Sequence, residues 1–278
     1  MRVFIIFVIL IGSSSGLHAS FDTKKGAKPL AMGCAYVGLS GSVESFYYNP
    51  AGLWLISYPT ASGFYSTPYN LKELRTSTFG VAWPFASGTA GASVESYGFD
   101  LYRESTASVA WSGAIKQVVS FGVMVNYHHL AIKGGGDAST AGVDAGILLR
   151  PHEKIMVGFS ARNINRPSIA GDDLPQAASL GISFQALPNW VVTADLYKDI
   201  RFPSDVRVGS EYKIADRIML RGGLASDPSR VSGGLGIDVG FGQIDYAFYT
   251  HRELGLTHAV SLTYFFKRKP PRVLKTSL

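Results

Sequence analysis

A chain of 278 residues with one cysteine, Cys34, forms no internal disulfide and offers no Cys-based zinc or iron–sulfur site. Charge is scarce too. Asp, Glu, Lys and Arg make up 17% of the residues, against about 25% in soluble domains. Long apolar runs are missing: the run from Val3 to Ile11 falls well short of the roughly 20 residues that a membrane-spanning helix needs. If the chain enters a bilayer, it must therefore do so as a closed β-barrel. The net charge of +6 is concentrated at the ends. Arg2 supplies one excess cation, and Lys267, Arg268, Lys269, Arg272 and Lys275 supply five more in a final stretch without acids. The remaining 20 basic and 20 acidic residues balance. A neutral body argues against a nucleic-acid partner.

Met1-Arg2, the apolar run to Ile11 and the small residue Ala19 read as a secretory signal peptide over 1–19, cleaved after Ala19. The chain is rich in Gly (31), Phe (16) and Tyr (14). Beyond residue 60 the pattern has period two. Val260, Leu262, Tyr264 and Phe266 alternate with Ser261, Thr263 and Phe265, and Val119, Phe121, Val123, Val125 and Tyr127 alternate with Ser120, Gly122, Met124 and Asn126. Successive strand side chains point to opposite faces, so each segment has one apolar face and one small or polar face.

Fourteen such segments are expected, near 61–67, 77–85, 88–99, 103–115, 118–132, 140–149, 155–164, 177–186, 190–198, 206–214, 217–225, 231–240, 243–251 and 257–266. Tight links such as 116–117, 187–189 and 215–216 alternate with longer ones at 68–76, 133–140, 165–176 and 199–205. Short turns on one rim and longer loops on the other describe a transmembrane barrel. A soluble sandwich would carry Lys and Glu on its outward face. Here the second face is mostly Gly, Ser, Ala and Thr, as in a barrel interior. Tyr127, Trp190, Tyr212, Tyr246, Tyr264 and Phe266 fall towards strand ends, where interfacial aromatic belts lie. The fold class expected is all-β: a 14-stranded antiparallel transmembrane β-barrel over 61–266. It is preceded by a segment, 20–60, that lacks long alternation, and ends in a basic tail, 267–278. Pro270-Pro271 stops that tail from continuing the last strand.

Lys28-Pro29-Leu30-Ala31-Met32-Gly33, with Tyr48-Asn49-Pro50-Ala51-Gly52-Leu53 after it, resembles the N-terminal motif of FadL-like outer-membrane proteins, and most of all the PorV/PorQ branch. Ala161-Arg162-Asn163-Ile164, Leu174-Pro175, Leu220-Arg221-Gly222-Gly223 and Asp245-Tyr246-Ala247-Phe248 come in the family's order. The resemblance covers nearly the whole mature chain. It departs at Gly41-Ser42-Val43, where the family often has acids, and in its short overall length. It implies a luminal plug built from the N-terminal segment, with Met32, Gly33, Asn49, Pro50, Ala51 and Gly52 as its motif. It also implies a non-enzymatic outer-membrane component for protein secretion or surface assembly, whose partners are secretion-system proteins or exported cargo. The alternative it implies is a plugged channel taking up small hydrophobic molecules.

Little else carries chemistry. His128 and His129 are adjacent in a strand and point apart, so they cannot share a metal ion. Gly134-Gly135-Gly136 lacks a following Lys-Ser/Thr and reads as a loop rather than a phosphate cradle. No spacing marks a catalytic site, a metal or a cofactor. Asp144, Asp195, Asp205, Arg207, Glu211, Arg221, Asp238 and Asp245 fall on polar strand faces. Exposed to hydrocarbon they would be costly, so they are expected to face the lumen and pair with one another. An even strand count with short periplasmic turns places both termini in the periplasm, where the tail cations are open to three readings: contact with anionic lipid headgroups, contact with a partner's acidic patch, or a disordered solubilising end.

Overall fold

The computed structural model describes Phe21 and residues 24–251, 253–266, 270 and 272–276. The expected signal peptide, 1–19, and the tail cations Lys267, Arg268 and Lys269 lie outside the described residues. Fourteen strands close into a single antiparallel barrel. They are β1 (Thr60–Thr67), β2 (Thr76–Phe85), β3 (Gly88–Phe99), β4 (Tyr102–Ile115), β5 (Val119–Ile132), β6 (Gly136–His152), β7 (Ile155–Arg162), β10 (Ala177–Leu187), β11 (Trp190–Asp199), β12 (Asp205–Ala215), β13 (Ile218–Ser226), β14 (Ser229–Asp238), β15 (Gly242–His251) and β16 (Gly255–Phe265). A small ribbon, β8 (Ser168–Ile169) with β9 (Asp172–Asp173), interrupts the series. Each barrel strand pairs with its neighbour, and β1 closes on β16 from Thr60↔Phe265 to Thr67↔His258. Closure leaves no open edge, which is what hydrocarbon demands of a sheet.

Alternation sorts the side chains as the period requires. Outward positions are apolar and exposed: Phe79, Val94, Val109, Val125, Leu196, Val206, Leu224 and Leu262 among them. Inward positions are small or polar and buried: Ser62, Ser93, Ser108, Ser120, Ser160, Ser179, Thr193 and Ser261. This is a soluble protein turned inside out, and the low charged fraction results from it. Trp83, Phe85, Trp190, Tyr212, Tyr264 and Phe266 are exposed around the rim that carries the tight turns. There Trp190 stands opposite Tyr212, and Tyr264 meets Phe266 edge-on at 5.0 Å. Tyr127 lies toward the other rim, in a strand that ends at Ile132. Amphipathic rings at such levels suit a membrane–water interface.

The loops are tighter than expected. β6 begins at Gly136 rather than near 140, so the triple glycine forms a turn, with Gly134 and Gly136 at positive φ. β14 and β16 likewise begin two residues early, at Ser229 and Gly255. These strand ends escape a reading by alternation because they lie beyond the apolar belt, where neither face needs to be hydrophobic. Long connections remain at 68–75 and 163–176. We call this the loop rim and the opposite one the turn rim.

The two ends of the described chain lie at opposite rims. Phe21 packs at the loop rim with Leu130, Ile169 and Leu174, whereas Lys275 binds the turn-rim residue Gln117 through its main chain. Strand parity places residue 60 and residue 265 on one rim, as an even strand count requires. The chain before residue 60 nevertheless crosses the barrel, so parity does not extend to Phe21.

An outer face solvated by lipid makes a direct prediction. Val109 is 61% exposed near the middle of β4. Val109→Arg is expected to cost about 2–4 kcal/mol of folding stability in bilayers, as for basic residues at a bilayer midplane, with Val109→Leu near neutral. Urea titration of folding into vesicles measures both; equal stabilities would contradict a lipid-facing surface.

Candidate functional site

The segment from Lys24 to Ile56 runs through the barrel interior. It forms a short helix at Ala27–Ala31, a second at Ser45–Tyr48 and a 3-10 turn at Pro50–Leu55. The first helix packs on β13 to β16, and the 3-10 turn packs on β3 to β6. Between them the backbone is bonded to the wall. Tyr36 and Val37 N–H donate to Asp195 Oδ2 at 2.6 and 2.8 Å. Ser183 Oγ donates to Gly38 O at 2.9 Å, and Gly33 N–H donates to Ser232 Oγ at 3.0 Å. Contacts on β3 to β6, β10, β11 and β13 to β16 place the segment inside the ring.

The residues singled out in the N-terminal motif each have a local cause. Asn49 is fully buried and caps the 3-10 turn, its Oδ1 accepting from Ala51 N–H at 3.1 Å. Its Nδ2 donates to Val37 O at 3.0 Å and to Ile147 O of β6 at 3.1 Å. One side chain thus joins the turn, the preceding loop and the wall. Pro50 opens the turn, where its fixed φ and missing N–H cost nothing. Ala51 O accepts from Ser112 Oγ at 2.9 Å and Ser120 Oγ at 2.6 Å. A β-carbon on Gly52 would lie 2.2 Å from Ser40 Cβ. Met32 is fully buried, and Gly33, at φ +65°, lies against the wall where a β-carbon would meet Leu224 O at 2.6 Å.

The charged residues divide into groups rather than one network. Arg221 lies at the centre of the largest, its Nε donating to Glu211 Oε2 and its Nη1 to Asp245 Oδ1, each at 2.6 Å. Lys28, from the N-terminal segment, reaches Glu211 at 3.2 Å, and Gln243 donates to Asp245 at 2.8 Å. Arg207 and Asp205 pair separately at 2.7 Å, with Arg207 stacked 4.0 Å from the centre of the Tyr197 ring.

Three of the expected partners behave differently. Asp144 accepts from Asn126 Nδ2 and from Asn163 N–H, and Asp195 holds the N-terminal segment. Both acids meet amide donors instead of cations. Asp238 lies at the turn rim, where its Oδ1 accepts from Gly240 N–H at 2.8 Å. It ends a strand, so alternation placed its face correctly but not its depth.

Sequence reasoning missed Lys25, Glu95 and Glu104. Lys25 and Glu95 pair at 2.5 Å inside the barrel, and Glu104 accepts from Phe21 N–H at 2.8 Å. Glu95 and Glu104 do sit on the inward register of β3 and β4, the one signal that could have found them. His128 is buried against Phe21, with ring centres 4.8 Å apart, while His129 faces outward and meets Ser139. Among the described residues, no group of three or more His, Cys, Asp or Glu is placed to hold a metal ion.

The interior leaves little room. Two cavities near Lys25 and Arg162 measure about 30 Å³ each, one lined by Tyr47, Tyr48 and Arg207, the other by Glu95, His128 and Asp144. A small aromatic molecule needs a cavity of about 150 Å³. Larger spaces of about 160 and 350 Å³ lie toward the turn rim, both bordered by Lys28 and Gln243.

Removing Arg221 would leave Glu211 and Asp245 without their shared cation. Arg221→Ala is expected to cost about 3–5 kcal/mol, and Asp216→Ala, at an exposed turn-rim position, less than about 0.5 kcal/mol. Asn49→Ala strands buried main-chain groups and should cost about 1–3 kcal/mol. Urea midpoints of the three bilayer-inserted variants provide the check. Similar values for Arg221→Ala and Asp216→Ala would contradict a buried network.

No protein-family model matches the sequence, and no curated protein matches it. Solved structures do match its shape. The Ralstonia pickettii toluene transporter TbuX superposes with a TM-score of 0.70 at 12% identity, over 87% of this chain and 98% of its own. The CymD monoaromatic hydrocarbon channel gives 0.71 at 13%, over 90% and 100%. A Pseudomonas aeruginosa FadL homologue gives 0.66 at 12%, over 88% and 99%. The fold of this chain is the closed 14-stranded antiparallel barrel of FadL-type proteins.

Proposed function

We propose that this chain is an outer-membrane channel for small hydrophobic molecules, non-enzymatic and closed at rest by residues 24–56 acting as a plug. One observation carries the proposal. The barrel shares its fold with toluene and monoaromatic hydrocarbon channels, and its lumen is filled by a segment held through discrete hydrogen bonds and ion pairs. Such bonds exchange readily for bonds to water. The strand ladder around them does not, so the segment can shift while the wall stays closed. The exposed apolar belt and the aromatic ring at the turn rim support a place in a bilayer.

In this reading Met32, Gly33, Asn49, Pro50, Ala51 and Gly52 seat the plug, and the Arg221 group ties Lys28 of the plug to the wall. The spaces beside Lys28 and Gln243 are the exit on the turn side. A role in protein secretion or surface assembly, with secretion proteins or cargo as partners, draws on the PorV/PorQ-like motif alone, and no feature of the fold favours it.

Uptake tests the proposal. Cells lacking their own hydrophobic-compound channels should take up radiolabelled toluene or oleate several-fold faster when this barrel is in their outer membrane. Uptake equal to that of empty cells, with exported proteins copurifying with the barrel, would overturn the channel reading in favour of secretion.

A further inference from the structure

The turn-rim end of the lumen is covered by a second piece of chain. Leu274 is 1% exposed and fills a pocket made by Ala51, Trp54, Leu55 and Leu148. Arg272 donates to Phe85 O at 2.7 Å, Thr89 Oγ1 at 3.2 Å and Trp54 O at 3.4 Å, and its guanidinium lies 5.8 Å from the centre of the Trp54 ring. The main chain is held as well. Lys275 N–H donates to Gln117 O at 2.6 Å, and Arg150 Nη1 donates to Leu274 O at 3.2 Å. Val273 between the two anchors is 54% exposed. Residues alternate between groove and solvent, as in an extended peptide seated on a surface.

We propose that residues 272–275 are an intramolecular ligand: they occupy a peptide-binding groove at the turn rim and latch the Pro50–Leu55 turn in place. The groove has two walls of different origin. Phe85, Gly88, Gln117, Leu148 and Arg150 belong to the barrel, whereas Ala51, Trp54 and Leu55 belong to the luminal segment. A peptide that bridges both holds the turn against the wall, next to Asn49. The groove reads one apolar side chain, one guanidinium and main-chain amides. It adds no strand to the barrel, so the tail can leave without opening a sheet edge. The groove and its occupant stand independently of the channel reading; only the consequence for passage rests on it.

The test uses full-length Leu274→Asp, with Val273→Asp as a control at an exposed position, both folded into vesicles and checked by heat-modifiable gel migration. Amide exchange in residues 272–276 should be at least tenfold faster than wild type in Leu274→Asp and unchanged in Val273→Asp. Efflux of a trapped small dye should rise at least tenfold in Leu274→Asp, and a synthetic peptide of residues 270–278 should reduce it. Equal exchange in all three proteins would overturn the docked tail. Faster exchange in residues 272–276 with unchanged exchange of the Ala51–Leu55 amides would overturn the latch, whereas faster exchange in both segments without faster efflux would count against the channel reading alone.

Discussion

Close packing of the N-terminal segment against the inner wall is the contact on which the rest of the structure depends. A bilayer accepts a sheet only if it is closed, and closing fourteen strands creates a lumen that must be filled or flooded. Here it is filled by backbone laid almost directly on backbone. A β-carbon on Gly158 would lie 2.1 Å from Val37 O, and one on Gly223 would lie 2.1 Å from Gly33 N. Small luminal residues are therefore a condition of the packing. The abundance of glycine and serine on one strand face and the scarcity of charge in the chain arise from the same requirement.

Depth along the lumen determines the chemistry. At the loop rim Phe21, Leu130, Ile169 and Leu174 form an apolar cluster, and at the turn rim Ala51, Trp54, Leu55, Leu148 and Leu274 form another. The polar middle lies between them, where Lys25 meets Glu95, Asp195 meets two backbone amides, and Arg221 meets two carboxylates. Buried charge is tolerable when every member has a partner of suitable geometry. The arrangement gives the segment a defined seat through directional bonds rather than a large apolar interface. Such a seat is specific yet separable.

Alternation made the wall legible because the bilayer enforces it. Outward residues such as Phe79 and Val109 must be apolar, so strands within the hydrocarbon belt could be read to within a residue or two. The rule lapses where the belt ends: the first turn of β6 at Gly136–Thr140 and the start of β14 at Ser229 have no apolar face to announce them. Depth was hidden for a related reason. Asp238 and Asp245 share the same strand-face logic, but one ends a strand at the rim and the other meets Arg221 inside. The Asn49-Pro50-Ala51-Gly52 motif stood out as a string, while its physical role, a capped turn tied to β6 through Ile147 O, depends on a partner 98 residues away. Leu274 carried no signal at all, since a leucine in a basic, proline-containing tail does not reveal the pocket that receives it.

Cys34 offers a direct probe of the central claim, that passage requires the luminal segment to move. It is the chain's single cysteine and is 2% exposed within that segment. The decisive measurement is the rate at which a polar maleimide labels Cys34 in bilayer-inserted wild-type protein, with and without a hydrophobic compound undergoing uptake. The account predicts negligible labelling at rest and labelling that rises with compound flux. Uptake at full rate with Cys34 still protected would contradict it.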